Sequence, residues 1–389
     1  MKKFYSMLLA GFMAFSLTAC GSSNDAKTSE APTTGEPTTE VEASDMKVAM
    51  VTDYGDITDQ SFNQTTYEAS KAFCEANGCE FTYKKPASDS DQDRAASMEE
   101  AIEEGYNVLV LPGFAFAKAI VEVAPLYEDV KFVALDVSAY DLQTANGGEE
   151  FSSDNVYSAV YAEELPGYMA GYAAVKLGYT KLGFLGGMAV PAVTKFGYGF
   201  VQGADAAAKE LGNAADVTVN FVYGGQFFGD ADITARMDTW YQAGTEVVFA
   251  CGGGIYTSAA EAAVKVGAKV IGVDTDQSFN IDGTYGEGLT VTSAMKGLTT
   301  TVNTLLTAIQ NGQWDQYKGK IETLGIVSEN PDENYVGLPS TTQWTEGFTE
   351  EDYKALVASM AKGDVVVSND TETEPTVEIT VNYEGSIKG

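Results

Sequence analysis

The chain reads as an α/β protein built from two similar parallel-sheet lobes, and three observations carry that reading. From Met46 onward, short apolar runs alternate with helical stretches, the signature of parallel βαβ units. Three of these runs recur in one order at nearly constant spacing. Two of the recurring runs end on an aspartate at matching positions. With 389 residues and 44% apolar content, the chain can bury two cores of ordinary size.

In chain order, the N-terminus reads as a processing signal. Lys2 and Lys3 precede a mostly apolar stretch at 8–17, and Leu17-Thr18-Ala19 stands immediately before Cys20. This order resembles a bacterial lipoprotein signal peptide, which implies cleavage of residues 1–19 and a lipid on Cys20. The apolar stretch is shorter than the ~20 residues a membrane span needs. Removing it takes away Lys2 and Lys3 and no acid, leaving 21 basic against 56 acidic residues. Residues 20–45, rich in Ser, Thr, Glu and Pro, read as a disordered tether with a reach of roughly 25–30 Å.

The first strand is expected at 48–52, followed by TDYGDITDQSFNQ at 52–64. Gly55 permits a sharp turn, and Thr58 or Asp59 can cap a helix carrying Phe62, Tyr67 and Phe73. A strand passing through a polar loop into a helix N-terminus is how open α/β sheets build ligand sites. Asp53, Asn63 and Phe62 together suit a small molecule with a flat ring and several hydroxyls. An ordinary βα turn with a core phenylalanine fits the spacing equally.

Further strands are expected at 80–83, 108–111, 132–135, 181–185, 217–223, 246–250 and 269–273, with helices at 91–104, 163–176, 193–211 and 256–266. Residues 105–113 align with 244–252, 131–136 with 269–274, and 48–51 with 182–185, at offsets of 134 to 139. The same register sets Phe62 opposite Phe196. Asp136 and Asp274 each terminate an equivalent strand, and ligands of such sheets bind beyond the strand carboxyl ends. If the lobes face each other, both carboxylates border one cleft with Asp53. Past Gly288, a strand at 289–293 and a helix at 296–310 are expected to return to the first lobe. Lys296 would then start a helix, a position unfavourable for a cation unless an acidic or hydroxyl-rich partner is near. The end of the chain is expected to add a helix at 349–361 and strands at 365–367 and 377–382 to the edge of the second lobe. The resulting division is 46–157 plus 289–325 for the first lobe, and 158–288 plus 326–389 for the second.

Function classes narrow from composition. Acidic residues outnumber basic ones 56 to 23, which excludes a basic nucleic-acid footprint. The absence of histidine removes the commonest general base and metal ligand, and no metal or cofactor is expected. Neither a GxxxxGK[ST] loop nor a GxSxG elbow occurs, so an enzyme is not expected. Cys74 and Cys79 flank a helix stop and could pair in an oxidising compartment. Cys251, within an apolar run, reads as a core residue.

Three motifs carry a family resemblance: TDYGDITDQSFNQ (52–64), GGMAVPAVTKFGYGFVQG (186–203), and GVDTDQS (272–278) followed by TSAMK (292–296). Their order across nearly all of 46–310 resembles the basic membrane protein lipoproteins, whose best-described members are purine nucleoside receptors of ABC transporters. The resemblance implies a type I periplasmic-binding-protein fold, two doubly wound parallel-sheet lobes joined by a hinge. It further implies a lipid-anchored, monomeric receptor on the extracytoplasmic face of the cell membrane, passing a nucleoside to an ABC permease. By the same resemblance Phe62 is one slab of an aromatic sandwich around the base and Asp53 a polar contact at its edge. Asp136, Asp274 and Lys296 hold the ribose hydroxyls. The second slab comes from Phe227 or Phe228, in a Phe-Phe-Gly-Asp segment that departs from the family's Phe-Asn-Asp pattern. A sugar or signalling metabolite is the alternative ligand. A sugar site would favour tryptophan, and Trp240, Trp314 and Trp344 lie outside the motif loops.

Overall fold

A computed structural model of the chain describes residues 45–53 and 55–388. The expected signal peptide, Cys20 and nearly all of the expected tether lie outside the described residues. The first half lays down β1 (Lys47–Val51), α1 (Phe62–Asn77), β2 (Glu80–Lys84), α2 (Asp91–Glu103), β3 (Val108–Pro112), α3 (Ala117–Val123), β4 (Lys131–Leu135), α4 (Ala139–Ala145) and β5 (Val156–Tyr161). After α5 (Glu164–Lys176), the series repeats as β6 (Lys181–Gly186), α6 (Pro191–Leu211), β7 (Thr218–Tyr223), α7 (Ala231–Gln242), β8 (Val247–Cys251), α8 (Tyr256–Ala263), β9 (Lys269–Asp274), α9 (Ser278–Tyr285) and β10 (Thr290–Lys296). The remainder holds α10 (Leu298–Gln310), β11 (Ile321–Leu324), β12 (Val336–Gly337), α11 (Glu350–Lys362) and β13 (Thr380–Ser386).

Two sheets result, in the orders β11-β5-β4-β3-β1-β2 and β12-β10-β9-β8-β6-β7-β13. All pairings are parallel except β10 with β12. The inner order of five strands is the same in both sheets, the structural form of the repeat at offsets of 134 to 139. Central strands such as β3 and β8 are buried along their whole length, as parallel strands covered on both faces must be. In the first lobe α1 and α10 cover one face and α2, α3 and α4 the other. In the second, α5, α6 and α11 lie opposite α7, α8 and α9.

Several expectations need correction. The strand placed in the first lobe at 289–293 is β10, which pairs with β9 and belongs to the second sheet; the chain crosses back only at Gly297, and α10 then packs on the first lobe. Likewise β5 carries the first lobe to Tyr161, beyond the expected boundary at 157. Lys296 therefore ends a strand and does not begin a helix. The expected strand at 365–367 is absent: Val366 is exposed, and the neighbouring Ser368 backbone is satisfied at both N–H and C=O by the Gln202 side chain, at 2.9 Å each. The last strand lies a little later than expected, as β13. Cys74 and Cys79 are both free thiols, and the Cys79 N–H donates to the Cys74 carbonyl at 3.1 Å.

Candidate functional site

The loop after β1 is held by two carboxylates. Asp53 Oδ1 accepts from the Gly55 N–H at 2.7 Å, closing the turn. Asp59, one of the two expected caps, accepts from the N–H groups of Ser61, Asn63 and Gln64 and from the Asn63 amide. These bonds satisfy first-turn donors that would otherwise lack partners. They fix Phe62 and Asn63 at the head of α1, with Asn63 buried and its Oδ1 without a hydrogen-bond partner in the protein.

Asp136 and Asp274 follow β4 and end β9 respectively, and both have left-handed backbone, with φ of 61° and 65°. Gln60 is the one other non-glycine with positive φ among the described residues. Such conformations cost energy, and aspartate tolerates them better than most residues. Two at equivalent strand ends turn both carboxylates toward the same space. Ser61 Oγ donates to Asp274 Oδ2 at 2.6 Å, linking the lobes. Gln277 Nε2 makes a second link by donating to the Gln60 carbonyl at 3.0 Å.

Between the aspartates lies the Lys296 ammonium, 2.5 Å from Asp136 Oδ2 and 3.2 Å from Glu163 Oε1. The other Glu163 oxygen reaches Lys195 Nζ at 3.2 Å. Three rings also surround Lys296 Nζ, with centroids at 5.1 Å (Phe62), 5.3 Å (Tyr161) and 5.4 Å (Phe196), within cation–π range. Burial disfavours the ammonium, but Asp136, Glu163 and Asp274 outweigh it and raise the Lys296 pKa. Burial likewise pushes Asp136 up to about 7, with Lys296 opposing and Glu163 reinforcing the rise. Asp274 is raised for the same first reason. Asp136 Oδ1 is buried without a hydrogen-bond partner in the protein. The site therefore holds acceptors in need of donors.

The second lobe supplies an aromatic wall. Phe227 is half-buried against its core, while Phe228 is 61% exposed. The Phe227 ring lies on the bare backbone of Gly187 and Gly252: a Cβ on Gly187 would fall 2.4 Å from Phe227 Cδ1.

All eight expected positions, Asp53, Phe62, Asn63, Asp136, Phe227, Phe228, Asp274 and Lys296, line one cavity of about 570 Å³ between the lobes. Cys251 also lines it, buried, with its thiol pushed up by that burial. Sequence reasoning missed Glu163, Lys195 and Phe196 as parts of the charge centre. For Phe196 the signal was present, since the repeat sets it opposite Phe62. Glu163 had none, because β5 was not read as a strand and the residue beyond it looked like ordinary helix. Among the described residues no acidic or cysteine cluster could hold a metal ion, and no helix is long and apolar enough to cross a membrane.

Comparison with known proteins follows the same lines. The family model described as ABC transporter substrate-binding protein PnrA-like matches residues 46–360. A relative from Lactococcus lactis, named ABC transporter nucleoside-binding protein BmpA, is 31% identical over 60% of this chain; the match covers 65% of that protein, just under two thirds of its length. A CD4+ T-cell-stimulating antigen of Listeria innocua is 29% identical over 79% of this chain and 83% of its own, and an uncharacterized lipoprotein of Pyrococcus furiosus is 28% identical over 84% and 78%. Among solved structures, an ABC transporter solute-binding protein from Aeropyrum pernix superposes with a TM-score of 0.64 at 22% identity, over 84% of this chain and 88% of that one. One from Conexibacter woesei gives 0.63 at 20%, over 83% and 99%. These two share the fold, two doubly wound lobes of the periplasmic solute-binding type. With the family model spanning most of the folded body, the chain belongs to the PnrA-like family of ABC transporter substrate-binding proteins.

Proposed function

We propose that the cleft binds a nucleoside, most favourably a purine nucleoside, and that the chain, anchored to the extracytoplasmic face of the membrane by lipid on Cys20, delivers it as a monomer to an ABC permease. The observation that carries the ligand class is that one cavity is lined both by a charge centre and by aromatic rings. Asp136 pairs with the Lys296 ammonium through Oδ2 and keeps its Oδ1 without a hydrogen-bond partner in the protein, and Asp274 lines the same cavity. Phe227 rests on its glycine floor, with Phe62, Asp53 and Asn63 also on the cavity wall. Ribose hydroxyls are donors that carboxylates accept in charge-assisted bonds. A purine offers two faces for offset stacking on Phe62 and Phe227, worth ~0.5–1.5 kcal/mol per pair beyond burial. The nucleoside-binding name of the Lactococcus relative supports the same reading.

On this reading the ligand leaves unchanged: the described residues of the cleft offer hydroxyl acceptors and stacking surfaces, and its cysteine, Cys251, is buried with its thiol pushed up by that burial. Titration calorimetry against adenosine, guanosine, inosine, uridine, free ribose and free bases tests the proposal. Nucleosides should bind at least tenfold more tightly than ribose or base alone. Tight binding of a pentose or hexose with no response to nucleosides would overturn it.

A further inference from the structure

The two lobes share one order of five strands, β5-β4-β3-β1-β2 and β10-β9-β8-β6-β7. In the first sheet β2 is the edge; in the second its counterpart β7 is covered by β13. β13 also lies beyond residue 360, where the family match stops. It pairs in parallel with β7 from Thr380↔Thr218 to Tyr383↔Phe221, and after a register shift at Ser386↔Tyr223. The Ile387 N–H then donates to the Tyr223 carbonyl at 2.8 Å. β7 runs directly into the Phe227 loop, so β13 follows the strand to the point where that loop begins.

What comes next grips the loop at both ends. Lys388 Nζ donates to Gln226 Oε1 at 2.9 Å and forms an ion pair with Asp230. Gln226 Nε2 in turn donates to Asp230 Oδ2 at 3.0 Å and to the Phe228 carbonyl at 2.8 Å. The remaining Asp230 oxygen caps α7 through the N–H groups of Asp232 and Ile233. Gly225, with φ of +82°, lets the loop pass where a Cβ would lie 2.8 Å from the Lys388 carbonyl oxygen. Upstream, Glu384 anchors β13 to α7 through an ion pair with Arg236 and a bond from Trp240 Nε1 at 3.1 Å. Phe227 is thus bracketed by Gln226 and Asp230, and a single ammonium joins the two.

We propose that β13 with Lys388 is a strap that fixes the loop bearing Phe227 and thereby sets how strongly the cleft prefers ligands with a flat ring; Lys388 is a positioning residue that acts through Gln226 and Asp230. Holding an aromatic wall in its bound geometry raises affinity by lowering the ordering cost of binding. The benefit falls on ligands that stack, not on those contacting only the carboxylates. This inference rests on the reading of Phe227 as a stacking surface.

The test uses the whole chain with Lys388→Met, which keeps the stem and removes the charge, and Lys388→Arg, which restores it. Hydrogen exchange of amides 224–230 reports the strap without reference to any ligand. Calorimetry with a nucleoside and with ribose reports its consequence. In Lys388→Met, exchange across 224–230 should quicken about tenfold and nucleoside affinity fall about tenfold, with ribose binding unchanged. Lys388→Arg should recover both. Exchange at the wild-type rate in Lys388→Met overturns the proposal, as does quickened exchange with undiminished nucleoside affinity. If the wild type binds no nucleoside, the reading of the cleft fails, while quickened exchange still supports the strap.

Discussion

At the scale of single residues, the informative feature is that the matched aspartates are bent. A left-handed backbone at a non-glycine position persists only where the surroundings hold it, and such positions cluster at ligand sites. Asp274→Asn keeps a residue that tolerates this conformation and removes the charge. Nucleoside affinity measured by calorimetry should fall at least thirtyfold, with a melting temperature within a few degrees of wild type. Undiminished affinity would remove Asp274 from the site. For Asp136 the pH dependence has a defined sign. Its carboxyl is raised from an ordinary 3.8 to about 7, so its contribution to apo stability is complete below the ordinary value and lost as pH rises through about 7. Hydroxyl donors relieve the carboxylate above that point. The ligand-induced rise in melting temperature should therefore grow between pH 5.5 and 8, and Asp136→Asn should flatten it. These aspartates were legible because a polar residue closing an apolar run at a repeated offset is a local pattern. Glu163 and Lys195 were not, because their pairing depends on three segments distant in sequence.

Helix packing explains the element-scale features. α5 and α6 meet backbone to backbone: a Cβ on Gly171 would lie 2.0 Å from the Phe200 carbonyl oxygen, and one on Gly203 the same distance from that of Tyr168. No side-chain rotation relieves a clash with main chain, so the helices would have to separate. Gly203→Ala should lower unfolding free energy by about 1–3 kcal/mol, read from the denaturant midpoint. Gly187→Ala acts differently, since its Cβ would meet the Phe227 ring first, at 2.4 Å, and the Gln226 carbonyl oxygen only at 3.3 Å. Binding of stacking ligands should weaken about tenfold, with stability near wild type; equal affinity would remove Phe227 from the contact. The strands and helices of both repeats were visible as apolar periodicity. The sheet to which β10 belongs was not, since pairing partner is a non-local choice that an apolar run does not specify.

At the scale of the whole molecule, polar links between the lobes gather at the site. Ser61 with Asp274 and Gln277 with Gln60 bridge the cleft, and Lys296 brings the end of β10 against Asp136. Ser61→Ala should shift the ligand-free protein toward a larger radius of gyration in solution scattering, with nucleoside restoring the smaller value; an unchanged radius would mean this bond does not hold the lobes together. The chain passes between lobes beside this cluster: Glu163 follows β5 directly, and Lys296 precedes the crossing at Gly297. Points beside a rotation axis sweep the shortest arcs. The ammonium and Glu163 thus sit at the spine of the book, beside two of the places where the chain passes from one cover to the other. If the covers turn about that spine, a guest's hydroxyl end would be seated first and its ring caught as they close.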